Sequence, residues 1–386
     1  MRILHVVPTY LPAVRYGGPI FAVHGLCRAL VSRGHNVEVF TTNVNGAENS
    51  AVPVGVPVSL DGVQVRYFPS EFLRRIYRAP SLAQALRREV GEFDLVHLHS
   101  VFLWPTWAAA RLAWKAHVPY LISPRGMLVK ELIERRSRFA KSAWINLIER
   151  SNLERASAIH VTSELERAEL MRFKWRLPRV AMIPNGVEEL ESAAGAEPSA
   201  DVMEIASRQP LVLFLGRISW KKGLDRLLNA FALTSVGNLA IVGTDDEGLV
   251  PQMQQLAEKL QISDRVRFFP RTVLGCDKAH LFAAAKLFVL PSYSENFGNT
   301  VLEAMQRGVP VVVTPEVGAA EIVRQAGGGM VVQGDPEPFG DAISRLVNDQ
   351  TLARSMGEAG QRYVCEHYGW PRIAAQMEAL YENLTV

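Results

Sequence analysis

Short apolar runs rich in β-branched residues recur along this chain, and most lead through a glycine- or proline-bearing turn into a stretch whose apolar positions repeat at helical spacing. Such a run predicts a strand buried on both faces, and the helical repeat predicts a helix with one buried stripe. Residues 2–7, 211–215 and 287–290 read as strands, and residues 20–32, 224–233 and 301–308 as helices that follow them. Because strand and helix patterns alternate through both halves, the chain is expected to be α/β, with two doubly wound parallel sheets. Residues 188–207 are weakly patterned and read as a linker plus the opening of a second domain, residues 47–58 as a mobile loop, and residues 373–384 as an amphipathic terminal helix.

Two strand-to-helix junctions carry the chemistry. In Pro291 to Gly308, Glu295 stands on the loop and Glu303 about one turn into the helix, with Asn299 or Thr300 expected as the N-cap. The unpaired N–H groups of that first turn, with those of Asn296, Phe297 and Gly298, suit a phosphate. A carboxylate accepts two parallel hydrogen bonds, so Glu303 fits a vicinal diol such as a ribose and Glu295 fits hydroxyls of an attached sugar. The plain alternative is a solvated carboxylate pair. The second junction is Gly216-Arg217-Ile218-Ser219-Trp220-Lys221-Lys222-Gly223. There Arg217 offers a rigid fork and Lys222 a mobile point charge, either as clamps on a diphosphate or as surface charges.

Taken together, these residues resemble the retaining glycosyltransferases of the GT-B fold, in particular glycosyltransferase family 4 of the group 1 type. The likeness extends over nearly the whole chain: Tyr16-Gly17-Gly18-Pro19, the strand from Asp94 to His99, Ile183-Pro184-Asn185-Gly186-Val187, Ala240 to Gly243 and Phe268 to Arg271 follow the family's order. The resemblance implies two facing Rossmann-like domains: residues 1–187 for the acceptor and 208–366 for the nucleotide sugar, joined by the linker 188–207. Residues 367–386 would form a helix that crosses back onto the first domain. It further implies that Glu295, Arg217 and Lys222 are catalytic, and that Gly17, Gly18, Gly216, Arg271, Asn296, Phe297, Gly298, Asn299, Thr300 and Glu303 bind the donor. The donor base would be uracil or guanine, read mainly by backbone groups near Arg271, Val242 and Gly243. No metal or cofactor is expected, since the Asp-any-Asp motif of the other main transferase fold is absent. Retention would come from attack on the leaving-group side, with Glu295 orienting donor hydroxyls or, alternatively, acting as a nucleophile. One departure stands out: where relatives place a His-Gly pair, this chain has Ser123-Pro124-Arg125-Gly126. Arg125 would bind an acidic sugar, an acceptor phosphate or the donor diphosphate, or else form a salt bridge to a neighbour; His99 is a further candidate for substrate contact. A nucleotide-sugar epimerase and a non-catalytic nucleotide-sugar-binding protein share the fold and remain alternatives.

Length and charge sharpen the picture. At 386 residues, 48% apolar and 21% charged, the chain has the composition of a globular protein with room for two to three domains. Three scattered cysteines without metal-ligand spacing point to a reducing cytoplasm. The net charge of +3 hides an asymmetry: residues 1–182 hold 25 Lys and Arg against 14 Asp and Glu, and residues 183–386 hold 17 against 25. Much of the basic excess lies in 74–78, 87–88 and 130–141, interleaved with Phe72, Leu73, Ile76, Phe139 and Trp144. That composition predicts either a solvated face or peripheral contact with the anionic inner face of the cell membrane. No nucleic-acid motif accompanies it. The expected partners are therefore a nucleotide-sugar donor and a saccharide or lipid-linked acceptor in cell-surface polysaccharide or glycolipid assembly.

Overall fold

A computed structural model describes residues 1–135, 144–190 and 197–385. The chain divides into two compact units, Met1–Gly186 with Trp370–Val386, and Val187–Gly369. In the first, eight strands run in the order Arg179–Met182, Ala158–Val161, Tyr120–Ser123, Leu95–His99, Arg2–Val6, Asn36–Thr42, Val63–Phe68, Pro57–Leu60. All pair in parallel except the edge strand Pro57–Leu60. In the second, six parallel strands run Val266–Phe269, Asn238–Val242, Leu211–Leu215, Ala285–Leu290, Val311–Val313, Gly329–Val331. The strand order reverses between Arg2–Val6 and Leu95–His99 in one sheet and between Leu211–Leu215 and Ala285–Leu290 in the other. At such a switch point the connections leave towards opposite faces, and a crevice opens beyond the carboxyl ends of the strands.

The terminal helix, Trp370–Thr385, belongs to the first unit. Ile373, Ala374, Met377, Leu380 and Tyr381 share a core with Ala22, Val23, Leu26, Cys27 and Leu30 of the helix Gly18–Ser32. The Trp370 ring lies between two glycines, since a Cβ on Gly25 would stand 2.3 Å from it and one on Gly186 2.5 Å. Further along, Glu378 pairs with Arg33 and, at 2.7 Å, with His35.

Several expectations need correction. Part of the presumed linker is a helix, Ala200–Ser207, because Val202, Ile205 and Ala206 form a buried stripe; residues 191–196 lie outside the described residues. The stretch expected as a mobile loop, residues 47–58, holds one arm, Glu48–Asn49, of a short hairpin with Val44–Asn45, and the start of the edge strand. Arg74 ties this region down through the carbonyls of Gly46, Glu48 and Ser70. Of the basic patches, Phe72, Leu73 and Arg75 are exposed, whereas residues 136–143 of the third lie outside the described residues.

The core of the first unit contains a polar network. Period-two alternation sends Leu4, Val96, Leu98 and Ile122 to one face of the sheet and His5, His97, His99 and Ser123 to the other. There the hydrogen bonds have a single consistent direction. His160 Nε2 donates to the Ile183 carbonyl (2.8 Å), so its Nδ1 accepts from Ser123 (2.7 Å). Ser123 then accepts from His97 Nε2 (2.7 Å), and His97 Nδ1 accepts from Tyr381 of the terminal helix (2.7 Å). In a second chain Arg125 donates to His99 Nδ1 (3.2 Å), and His99 Nε2 donates to His5 Nδ1 (2.9 Å). The last proton, on His5 Nε2, meets no acceptor.

Gly25→Ala will overpack the Trp370 contact and lower the unfolding free energy by about 1–3 kcal/mol, read as a lower urea midpoint at unchanged slope. Burial, followed by the charge of Arg125, pushes His5 and His160 down to about 3, and burial also holds His97 and His99 well below their ordinary range. These rings take up protons on unfolding but not in the native state, so the stability they confer is present above the unfolded value near 6.5 and is lost as pH falls towards 3. Each proton contributes a slope of about 1.4 kcal/mol per pH unit. Urea midpoints measured from pH 7 to 5 will fall with that multi-proton slope before the carboxylates titrate, and a flat profile would refute the assignment.

Candidate functional site

At the switch point of the second unit, the loop after Leu211–Leu215 and the loop after Ala285–Leu290 come into backbone contact. Gly223 makes this possible: its φ is +64°, and a Cβ there would stand 2.1 Å from the Pro291 carbonyl oxygen. The Tyr293 N–H donates to the Lys221 carbonyl at 2.7 Å, locking the two loops together. On the neighbouring strand Gly243, with φ +145°, passes so close to the Gly216 carbonyl that a Cβ would lie 1.9 Å from it. With the loops so fixed, Lys222 of the 3-10 turn Trp220–Lys222 forms an ion pair with Glu295. The Glu295 backbone is held on both sides, its N–H by the Glu316 carbonyl (3.0 Å) and its carbonyl by the Gly318 N–H (2.9 Å). Arg217, in the same loop as Lys222, is exposed and has no carboxylate partner among the described residues.

The helix after Glu295 is Asn299–Gln306. Its N-cap is Gly298 in the left-handed region (φ +94°), not Asn299 or Thr300, which are already helical. Val317 packs 3.1 Å from where a Gly298 Cβ would be, so glycine alone turns the chain here. No side chain caps the helix, and of its first turn the Val301 N–H donates to the Gly298 carbonyl at 2.9 Å. The Phe297 side chain is buried, leaving only its backbone available to a ligand. One turn into the helix, Glu303 Oε2 lies 2.6 Å from Lys278 Nζ, an ion pair without hydrogen-bond directionality. Lys278, on the helix Gly275–Ala284, was not legible in the sequence, where it is one lysine in an unremarkable helical run.

The remaining expected residues divide differently. Arg271 spends its guanidinium on Asp277 (3.0 Å), Asp201 (3.1 Å) and Ser199 (2.7 Å), and it lies over the Phe269 ring. Its charge thus ties the helix Ala200–Ser207 to Gly275–Ala284, leaving its backbone carbonyl as the group suited to a base edge. Asp245 bonds the N–H groups of Leu249 (2.8 Å) and Val250 (2.9 Å), so it fixes the start of the helix Val250–Lys259. In the first unit Gly17 (φ +70°) is the N-cap of the helix Gly18–Ser32, with open space at its Cβ, and Gly18 is its first residue. His99 is buried with both ring nitrogens bonded, so in this structure it orients Arg125 instead of presenting itself to a substrate. Arg125 makes no salt bridge among the described residues; Asn185 Oδ1 accepts from it at 2.9 Å.

His5, His97 and His99 bring ring nitrogens within 4.8 Å of one another, the one such triad of metal-ligand type among the described residues. Their donor chemistry does not fit a cation. The two hydrogen-bond chains consume the lone pairs, the outward nitrogen of His5 carries a proton, and the Arg125 guanidinium lies alongside.

The comparisons agree with this anatomy. The model of the family described as "Glycosyl transferases group 1" matches residues 197–363, and that described as "Glycosyl transferase 4-like domain" matches residues 17–186. The D-inositol 3-phosphate glycosyltransferase of Xylanimonas cellulosilytica is 28% identical over 395 residues, covering 96% of this chain and 92% of that protein. A glycosyltransferase of Methanocaldococcus jannaschii is 25% identical, covering 99% and 98%. Among solved structures, sucrose-phosphate synthase from Thermosynechococcus elongatus superposes with a TM-score of 0.77 at 23% identity, covering 100% of this chain and 99% of that one. Anabaena HepE in complex with UDP and glucose superposes at 0.75 and 20% identity, with both chains fully covered. With two parallel-sheet units and both family models matched in order, the chain belongs to the group 1 glycosyltransferases of the family 4 type, enzymes that use nucleotide-sugar donors.

Proposed function

We propose that the second unit binds a UDP-sugar and that the sugar passes with retained anomeric configuration, without a metal ion, to a hydroxyl of an acceptor bound by the first unit. The observation that carries this is the Lys222–Glu295 pair beside the uncapped helix start at the switch point. Arg217 and Lys222 would neutralise the departing diphosphate, with the first-turn N–H groups of Asn299–Gln306 as further donors. Glu303, aligned by Lys278, would chelate the ribose diol. On losing Lys222 to the phosphate, Glu295 would hold donor hydroxyls. Uracil is preferred over guanine because the similar Anabaena HepE forms a complex with UDP and glucose. The acceptor is a saccharide or a lipid-linked saccharide. Names among the relatives, D-inositol 3-phosphate glycosyltransferase and sucrose-phosphate synthase, support a polyol or sugar hydroxyl. We place the reaction in cell-surface polysaccharide or glycolipid assembly, with the exposed Phe72, Leu73 and Arg75 resting on an anionic membrane. No helix among the described residues is long and apolar enough to cross one.

Thermal unfolding with UDP, GDP and ADP in the presence of EDTA tests the donor site. UDP at a hundred times its dissociation constant will stabilise the protein by about 2.7 kcal/mol, and Glu303→Ala and Arg217→Ala will each remove most of that shift. Stabilisation by none of the nucleotides would refute the reading, and stabilisation by GDP alone would change the base. Transfer that requires Mg²⁺ or Mn²⁺ after EDTA would overturn metal independence, and an inverted product anomer by NMR would overturn retention. Cosedimentation with phosphatidylglycerol vesicles will fall with salt and with Phe72→Ser; the same binding to neutral vesicles would remove the membrane assignment.

A further inference from the structure

The side chain of Arg125 presents a cation that makes no ion pair among the described residues. Its Nη1 donates to the neutral amide of Asn185 (2.9 Å), its Nη2 to the neutral ring of His99 (3.2 Å), and its Nε is buried without an acceptor. The negative group that acts on it, Glu166, directs its oxygens to the N–H groups of Gly126 (2.7 Å) and Thr162 (2.8 Å). Several other arginines of the unit do have carboxylate partners: Arg2 pairs with Glu38 and Glu92, Arg33 with Glu378, and Arg66 with Glu89. A desolvated cation held by neutral acceptors is costly to a fold, and burial accordingly lowers its pKa. The residue as a whole is half-buried.

A second observation is independent of charge. Arg125 is left-handed at φ +56°, and Gly126 follows at +72°. After the adjacent strand Leu95–His99, Ser100 (+75°) and Phe102 (+63°) are left-handed as well. Non-glycine residues are uncommon in this region, although the chain also places Asp61, Leu73, Tyr77, His117, Lys174 and Gln261 there. Here the strain surrounds the carboxyl ends of two neighbouring strands, next to the switch point of the sheet, and aims Arg125 at Asn185 and His99. The two neutral acceptors fix the plane of the guanidinium while leaving its charge uncompensated.

We propose that Arg125 is an anion subsite of the first unit, built to receive an oxyanion carried by the substrate, either a phosphate ester or a sugar carboxylate. Asn185 and His99 are its positioning residues. The inference rests on the sugar-transferase reading and narrows its substrate to one with a negative group beyond the donor diphosphate.

Thermal shifts of the full chain, with UDP saturating and ionic strength held constant with chloride, test it. Inorganic phosphate and glucuronate are titrated separately into wild type, Arg125→Gln and Arg125→Lys. We expect one anion to stabilise the wild type. Arg125→Gln should need roughly tenfold more of it or beyond, the weight of a charge-assisted hydrogen bond, and Arg125→Lys should fall between. A response to phosphate alone identifies a phosphate ester, and one to glucuronate alone a uronic acid. In urea without ligand, Arg125→Gln should be at least as stable as wild type, because it removes an uncompensated charge. Equal anion responses in wild type and Arg125→Gln would overturn the proposal. So would no response of the wild type to either anion, or an Arg125→Gln protein that is markedly less stable with its anion response unchanged. Repeating the titrations without UDP keeps the two readings apart: a wild type that ignores UDP condemns the donor site, and the anion series still decides Arg125 by the same comparison.

Discussion

The candidate donor site depends on the absence of two methyl groups. Parallel strands deliver their loops to a common edge, but side chains ordinarily keep neighbouring loops a van der Waals contact apart. At Gly223 the backbone of one loop meets the Pro291 carbonyl of the next, and at Gly243 the chain meets the Gly216 carbonyl. Only because these approaches are tighter than any Cβ allows does the Tyr293 N–H reach the Lys221 carbonyl and Lys222 reach Glu295. The ion pair thus follows from the backbone, and the chemistry proposed for it inherits that rigidity. Glu295 is doubly fixed through its main chain, so it can exchange the ammonium of Lys222 for sugar hydroxyls with little further loss of conformational freedom.

The carboxyl edges of the two sheets carry charge differently. In the second, Lys222 and Glu295 compensate each other, as do Lys278 and Glu303. A diphosphate that took Lys222 would release a carboxylate already standing where a sugar ring is expected. In the first, four neutral histidines and a serine build the polar core, and the cation at its edge is left unmatched. Tyr381 brings the terminal helix into that network, while Trp370 is clamped between Gly25 and Gly186 at the other end of the helix. Both anchors depend on residues distant in sequence, which makes the last helix part of the first unit's core although it follows the second unit in the chain.

Those distances explain what the sequence did and did not reveal. The strand Leu211–Leu215 was legible to the residue because a continuous apolar run bounded by glycine or polar turns has few other interpretations, whereas Leu95–His99, interrupted by two histidines, was expected only from the family resemblance. The helix Ala200–Ser207 was lost because its stripe of Val202, Ile205 and Ala206 is short and follows an alanine- and glycine-rich stretch. Asn299 was misread as a cap because asparagine favours that position. The left-handed turn that really caps the helix is set by Val317, a contact invisible to local pattern. Arg271 and Arg217 look alike as isolated arginines after strands. Only the tertiary placement of Asp201 and Asp277 separates a structural guanidinium from an exposed one. The pairing of His5 with His99 is likewise a matter of sheet register, which no spacing within either strand records.

The charge asymmetry, finally, runs against the proposed division of labour. Residues 183–386, which contain the unit proposed to hold a diphosphate, carry the acidic excess, and residues 1–182 carry the basic one. Net charge acts over a Debye length of about 8 Å at physiological ionic strength, whereas a phosphate is bound by the donors it touches. Arg217, the start of Asn299–Gln306 and, once released from Glu295, Lys222 would provide a local positive field within an acidic unit. A surrounding negative potential would oppose anions that lack the matching contacts and would help to expel the freed nucleoside diphosphate once the sugar has left. The basic unit can attract an anionic acceptor or surface at long range, and Arg125 is the one place where that general attraction would become a specific hydrogen-bonded contact.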